Sequence, residues 1–326
     1  MTVLVTGGAG YIGSHMALAL LDRGEDVVVL DSLVTGFREA VPEGAVFIEG
    51  DVGDHETVAR LFSDHKIDAV THFAASTVVP DSISDPLGYY ANNTLNAHAL
   101  LSEVVRAGVP RFVFSSTAAV YGSNTEEPVR ETTATNPESP YGSSKLMSER
   151  ILRDTAEAHD FSFAILRYFN VAGADPAGRA GQSARRATHL IKVCSQAALG
   201  LRDGVDVYGT DFPTPDGTGV RDYIHVTDLI AAHMLALDHL RGQPARLLFN
   251  CGYGKGFSVL EVVEAVRRVS GVNFDARMSP RRPGDPASVV ANGERLRSEL
   301  GWAPQYDDLD TIVAHALAWE KKISER

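Results

Sequence analysis

The sequence predicts an α/β fold, a doubly wound parallel sheet followed by a smaller C-terminal lobe. Three observations predict it. Short apolar, β-branched runs alternate with helical patterns up to about residue 170. A glycine cluster stands between the first such run and the first helical pattern, and beyond about residue 170 the alternation gives way to Gly- and Pro-punctuated chain. Continuous apolar strands separated by helices indicate a sheet covered on both faces, and right-handed crossovers make the doubly wound order the default.

The elements follow in order. A buried strand over 3–6 leads into glycines, then a helix over 12–21 that stops near Gly24. Strands are expected over 26–30 and 45–49, a helix over 57–62 and a strand over 69–73. A long helix over 87–106 precedes a strand over 111–115, a helix over 141–159 and a strand over 162–166. The helices beyond are dispersed, near 184–199, 226–240, 258–269 and 308–322. No internal repeat and no independent linker interrupts them, so the expected division is 1–170 and 171–326.

Composition excludes several classes. With 44% hydrophobic and 22% charged residues among 326, the chain has enough apolar side chains for a core and is not a disordered segment. A net charge of −12 without a basic run repels nucleic acid and anionic lipid. Two scattered cysteines and 11 histidines without ligand spacing give no metal site and no disulfide framework. The chain passes from Met1 into Val3-Leu4-Val5 without a basic leader, and it has no stretch of about 18 apolar residues. A cytoplasmic protein without a membrane span is therefore expected.

The glycine cluster carries chemistry. Gly7-Gly8-Ala9-Gly10-Tyr11-Ile12-Gly13 satisfies GxGxxG through Gly8, Gly10 and Gly13, and GxxGxxG through Gly7, Gly10 and Gly13. Glycine permits a tight turn, close backbone approach to a pyrophosphate and close packing of helix on strand. Standing after a strand and opening a helix, the cluster predicts a dinucleotide site of the Rossmann type. Asp31 ends the second strand, where a carboxylate accepts the ribose hydroxyls and repels a 2′-phosphate, favouring NAD over NADP. Asp51 and Val52, after the third strand, either flank the adenine or serve the start of the next helix.

A second constellation is Tyr141-Gly142-Ser143-Ser144-Lys145. Tyr141 and Lys145 share one helix face, and a lysine cation favours phenolate, which makes the tyrosine a usable base. Upstream, Phe114-Ser115-Ser116-Thr117 lies at a strand end, the edge where doubly wound sheets place ligands. Together these predict a hydride-transferring enzyme.

The chain resembles the extended short-chain dehydrogenase/reductase family, and within it the 4-epimerase branch acting on UDP-glucose and UDP-galactose. Six stretches carry the resemblance over nearly the whole chain: 6–15, His72-Phe73-Ala74-Ala75, Ala119-Val120-Tyr121-Gly122, 140–145, Leu166-Arg167-Tyr168-Phe169-Asn170 and 216–226. The last is the most specific to that branch. The resemblance implies an NAD-binding domain and a mainly UDP-sugar-binding lobe. It also implies reversible oxidation at C4 through a transient 4-keto sugar. Tyr141 would be the base, Lys145 would hold the nicotinamide ribose, and Thr117 would sit beside the sugar oxygen. Phe73, Ala74, Asn92, Ser115 and Tyr168 would line the cofactor, and Asn170, His189, Arg221, Arg282 and Asp285 would hold the nucleotide diphosphate and its ribose. Val289 would border the hexose pocket, where tyrosine accompanies restriction to UDP-glucose and UDP-galactose and smaller residues accompany N-acetylated sugars. The family also pairs the helices over 87–106 and 141–159 across a homodimer.

The chain departs from the family at two points. Thr77 stands where some members have lysine, and His189 where others have asparagine. The related 4,6-dehydratases and decarboxylases carry carboxylates just after the strand-end threonine, whereas Ala118 and Ala119 transfer no proton. A UDP-pentose or UDP-N-acetylhexosamine 4-epimerase remains the alternative. A non-catalytic NAD sensor is disfavoured because Thr117, Tyr141 and Lys145 are all present.

Overall fold

A computed structural model describes residues 1–123, 127–184, 188–282 and 285–325. In chain order β1 (Thr2–Thr6), α1 (Tyr11–Asp22), β2 (Asp26–Asp31), β3 (Val46–Glu49), α2 (His55–Asp64) and β4 (Ile67–His72) come first. Then come α3 (Val79–Ser84), α4 (Pro86–Tyr89), a π-helical turn Tyr90–Leu95 and α5 (Asn96–Arg106). β5 (Arg111–Thr117), α6 (Pro140–Ala158), β6 (Ser162–Tyr168), β7 (Asn170–Ala172), α7 (Leu190–Ala198) and β8 (Val205–Tyr208) follow. The chain ends with β9 (Val220–His225), α8 (Val226–Gly242), β10 (Arg246–Cys251), β11 (Gly256–Ser258), α9 (Val259–Ser270), β12 (Ala276–Ser279), β13 (Ser288–Val289), α10 (Glu294–Leu300) and α11 (Leu309–Ser324).

Seven strands form the main sheet in the order β10-β6-β5-β4-β1-β2-β3. β1 pairs in parallel with both β2 and β4, so the strand order reverses beside it and leaves a crevice at the carboxyl ends of these strands. The β-branched run Val27-Val28-Val29 is fully buried, as a strand covered on both faces requires. The apolar core joins this sheet to the helices through Leu4, Val28, Leu100, Phe112, Leu152 and Ile165. Each such side chain contributes about 1.5–3 kcal/mol of transfer free energy.

Two compact units divide the chain, and the sheet core defines the first. Unit 1 is Met1–Gly122, Pro137–Arg167 and Ala232–Phe249; unit 2 is Ser123–Asn136, Tyr168–Ala231 and Asn250–Arg326. The expected single boundary between 170 and 171 is thus corrected. A break falls near it, between Arg167 and Tyr168, but 123–136 belongs with unit 2 and 232–249 with unit 1. The second exchange has a plain cause: β10 enters the main sheet beside β6. Within unit 2, β9 is flanked by antiparallel β11 and parallel β13, and pairs in parallel with β7, while β8 and β12 form a separate parallel pair.

The long helix expected over 87–106 is interrupted by the π-turn. Asn93 explains where the wider turn is held. Its side-chain amide accepts from Ser76 N at 2.8 Å and donates to Ser76 O at 2.9 Å, and its backbone O accepts from the Ser148 hydroxyl at 3.0 Å. π-turns inside helices recur at functional sites. The helix expected over 184–199 is described as Leu190–Ala198, with 185–187 outside the described residues.

Candidate active site

The glycine loop leaves β1 through Gly7, whose φ of +72° suits glycine. A Cβ there would stand 2.5 Å from Ala74 N, and one on Gly13 would stand 2.2 Å from Gly7 O. The loop therefore packs backbone on backbone. Gly10 caps α1 without a side-chain bond, and no acidic residue occupies the first turn. The N–H groups that open the helix at Tyr11 and Ile12 lie at the positive end of the helix dipole, a place suited to a pyrophosphate. Asp31 accepts from Ala9 N at 2.9 Å and from Leu33 N at 2.8 Å, which holds the strand-end carboxylate beside the glycine loop. These features fit a dinucleotide.

Other expected cofactor residues lie in unit 1. The Phe73 ring packs 5.1 Å from the His233 ring, and Ser115 shares a 3.1 Å hydrogen bond with His233 Nε2. Asn92 donates to the Ser76 hydroxyl at 3.0 Å, from inside the π-turn. Asp51 does not cap α2. Asp54 does, while Asp51 accepts from Gly53 N and Asn96 Nδ2, and Val52 is buried.

α6 opens with Ser139 as N-cap, its hydroxyl accepting from Gly142 N at 3.1 Å. A Cβ on Gly142 would meet Ala119 O at 2.5 Å, so glycine lets the first turn of α6 approach the chain after β5. That approach brings the Tyr141 phenol into hydrogen-bond contact with the Thr117 hydroxyl, which also accepts from Ala119 N at 3.1 Å. Burial pushes the Tyr141 phenol up to about 12, and the Thr117 bond draws it down. One turn on, Lys145 is 2% exposed, with Nζ 4.8 Å from the Phe114 ring centroid. Burial pushes its ammonium down to about 8, against the opposing pull of Glu149. His72, nearby and buried, is held neutral at about 3 by burial and then by the Lys145 charge. Thr117, Tyr141 and Lys145 therefore form one buried cluster in unit 1.

Beneath it lies a buried network with no role in the sequence reading. Glu149 accepts from Ser116 Oγ at 2.6 Å and pairs with Arg167, which also donates to the Tyr121 hydroxyl at 3.0 Å. Glu149 stands at i+4 from Lys145 and i+8 from Tyr141, so helical spacing alone marks it. Its Arg167 partner carries no such local signal.

Unit 2 holds the remaining expected residues. Arg221 on β9 pairs with Asp285 at 2.5 Å, and Val289 on β13 is in register with Arg221. Asn170 begins β7 in register with Tyr223, and Tyr168 is half-buried at the end of β6. Arg282 lies over the Tyr208 ring. His189, exposed at the N-cap of α7, bonds Gln182 at 2.7 Å. Asp222, beside Arg221, accepts from the backbone N–H groups of Tyr253, Gly254 and Ala291 and so fastens two flanking segments to β9. His225 is buried, and its Nδ1 accepts from Thr227 N. Among the described residues no cluster of His, Cys, Asp or Glu is arranged to hold a metal ion, and no helix is long and apolar enough to cross a membrane.

Residues 3–252 match the model of the NAD dependent epimerase/dehydratase family. The chain is 55% identical over 323 residues to a UDP-glucose 4-epimerase of Azospirillum brasilense, covering 99% of this chain and 93% of that one. A UDP-glucose-4-epimerase of Stenotrophomonas maltophila, solved with NAD and formylated UDP-arabinopyranose, is 41% identical. It aligns with a TM-score of 0.96 over 100% of this chain and 99% of its own. The UDP-Glc/GlcNAc 4-epimerase of Campylobacter jejuni is 45% identical, with a TM-score of 0.86 over 98% and 99%.

Proposed function

The chain belongs to the NAD dependent epimerase/dehydratase family, and on that premise we propose that it inverts C4 of a UDP-hexose, interconverting UDP-glucose and UDP-galactose. It is an NAD-dependent isomerase. The observation that carries the reading is the buried Thr117–Tyr141–Lys145 cluster, followed by Ala118 and Ala119, which offer no further acid or base. The full-length likeness to UDP-glucose 4-epimerases supports it.

In this reading Gly7, Gly10 and Gly13 let the loop approach the pyrophosphate, and the N–H groups of Tyr11 and Ile12 bind it. Asp31 takes the adenosine ribose; Asp51, Val52, Phe73, Ala74, Asn92, Ser115 and Tyr168 line the rest. Bound NAD supplies a reversible acceptor for hydrogen and its electron pair at the sugar carbon. Tyr141 Oη takes the proton of the 4-hydroxyl and later returns it. A phenol held near 12 needs adjacent positive charge to do so, since such a charge within about 4–6 Å lowers a pKa by one to three units. Lys145 supplies one such charge, and the Thr117 hydroxyl stabilises the phenolate by donating to it. Arg221 and Arg282 grip the diphosphate as forks, with Asn170, His189 and Asp285 on the remaining UDP groups. Held by its diphosphate, the 4-keto sugar turns over and is reduced on its other face.

The protein is further proposed to act as a cytoplasmic homodimer. Support for the dimer comes from exposed apolar side chains on the helices of unit 1, Ile83, Leu87, Leu95 and Met147. Support for the compartment comes from two buried cysteine thiols.

The test is turnover of UDP-galactose by the purified protein without added cofactor. UDP-glucose is expected to appear with no accumulation of NADH. Stoichiometric reduction of added NAD by UDP-glucose would replace this reading with a dehydrogenase.

A further inference from the structure

We propose that Phe114 is a positioning residue whose ring face holds the Lys145 ammonium near Tyr141 and keeps it charged, an inference that rests on the reading of Lys145 given above. Lys145 Nζ lies 4.8 Å from the Phe114 ring centroid, within the range over which the negative face of an aromatic ring attracts a cation. Both residues are 2% exposed, so water screens the contact little.

The sheet fixes the ring. Thr6, His72 and Phe114 stand in register across the neighbouring strands β1, β4 and β5, and side chains in register project to one face. Thr6 Oγ1 and His72 Nδ1 share a hydrogen bond of 2.7 Å, and the His72 ring stacks on Phe114 at 5.7 Å with 16° between the planes. Because His72 is neutral, this brace sets no second cation against the ammonium. Alternation along β5 sends Ser116 to the face of Phe114, where its hydroxyl donates to Glu149 of α6, while Ser115 turns the other way to His233 of α8.

The other charges nearby are engaged elsewhere. Glu149 pulls the Lys145 ammonium up against the penalty of burial, yet both of its oxygens are taken by Arg167 of β6. Tyr89 of α4 meets the Tyr141 ring edge-on at 6.5 Å, and the carboxylates of Asp81 and Asp85 act on Tyr89. Among the described residues no carboxylate pairs with Lys145, so the Phe114 ring is the group set directly against its charge. A long lysine side chain also loses rotamer freedom on burial, and a ring already fixed by the sheet gives it one place to rest.

The experiment replaces Phe114 in the NAD-loaded protein with mono-, di- and trifluorophenylalanine, which keep the ring and withdraw charge from its face step by step; Phe114→Leu removes the ring altogether. Lysine isotope-labelled at Cε reports each side chain's titration by NMR, and Lys145→Met assigns the signal of Lys145 among the six lysines. The Lys145 pKa is expected to fall stepwise along the fluorinated series. By the trifluoro ring it falls about half a unit to one and a half units, the shift that loss of a cation–π contact supplies. Lysine loses its charge as pH rises through that pKa, so the alkaline limb of kcat for UDP-galactose is expected to move down by the same amount while the acid limb stays. Thermal melts of the fluorinated proteins are expected to match wild type within a few degrees, which separates the effect from a packing defect. A Lys145 pKa that holds steady along the series overturns the role of Phe114, and so does a fall confined to Phe114→Leu, which would reflect packing alone. Near-normal turnover by Lys145→Met would overturn instead the assignment of Lys145 itself.

Discussion

Glu149 and Arg167 form a two-point pair, Oε1 accepting from Nε at 2.8 Å and Oε2 from Nη2 at 2.6 Å, with both side chains buried. One turn of α6 separates this pair from Lys145, and the Ser116 hydroxyl joins it from β5. Removing one partner leaves a buried charge without its counter-ion, which costs about 3–5 kcal/mol. Arg167→Met is therefore expected to lower denaturant stability by about that amount, and Glu149→Met/Arg167→Met to recover most of it. Equilibrium unfolding in urea checks both. A loss below about 1 kcal/mol in Arg167→Met would show that the pair is screened like a surface one.

The Tyr141 phenol is expected to remain protonated in the cofactor-free protein far beyond the ordinary tyrosine range, since burial pushes it up to about 12. A near-ultraviolet difference titration between wild type and Tyr141→Phe reads this directly. A phenolate near neutrality without bound cofactor would contradict the burial argument. In turnover, Tyr141→Phe is expected to lose about a hundredfold or more, because it deletes the proton acceptor. Thr117→Val removes one hydrogen bond and is expected to lose several-fold to a hundredfold.

Lys145 sets a pH dependence of stability. Its folded-state pKa lies at about 8, below the ordinary lysine value of 10.5, so the folded state releases the proton first. Below pH 8 both states are charged and folding bears the burial penalty in full; as pH rises from 8 to 10.5 the penalty fades. Lys145→Met is thus expected to be inactive yet more stable than wild type at neutral pH, by up to about 3 kcal/mol. That advantage shrinks as pH rises through the window. Urea midpoints measured on both sides of it decide the matter, and an advantage that grows with pH would reverse the sign.

Asp31 carries two tasks that one substitution separates. Asp31→Ala removes the carboxylate that repels a 2′-phosphate, so discrimination against NADP is expected to relax. It also leaves Ala9 N and Leu33 N without their acceptor, at a cost of about 1–3 kcal/mol. Cofactor competition assays and thermal melts measure the two effects independently. Unchanged discrimination in a destabilised variant would leave Asp31 with the structural task alone.

The sheet strands of the first half were legible because each is a buried apolar run, and the pattern of burial along β1, β2 and β5 matches that composition. The π-turn was not, since its supports are tertiary: Asn93 bonds Ser76 and Ser144, and nothing in the local periodicity marks it. The same holds for Arg167, whose partner is on α6, and for Tyr208, whose partner lies beyond β12. Three strands of unit 2 are short, two residues in β13 and three in β7 and β11, too short for alternation to register. Motif residues such as Tyr141, Lys145 and Asp31 stood out for a different reason. Their chemistry requires particular residue types at particular element ends, and that survives in sequence where packing partners do not.

Val289 bears on substrate breadth. It is half-buried on β13, directly paired with Arg221, and paired residues project to the same sheet face. Its side chain therefore lies on the face that carries the arginine assigned to the diphosphate. Valine leaves space there that a tyrosine ring would fill. Epimerisation of UDP-N-acetylglucosamine is accordingly expected beside that of UDP-glucose. Val289→Tyr is expected to abolish the N-acetyl activity and to spare UDP-galactose, because added bulk excludes an acetamido group without touching Tyr141. Chromatography of both reactions with wild type and variant measures this. Equal losses on the two sugars, or no N-acetyl turnover by the wild type, would mean that other walls set the size of the pocket.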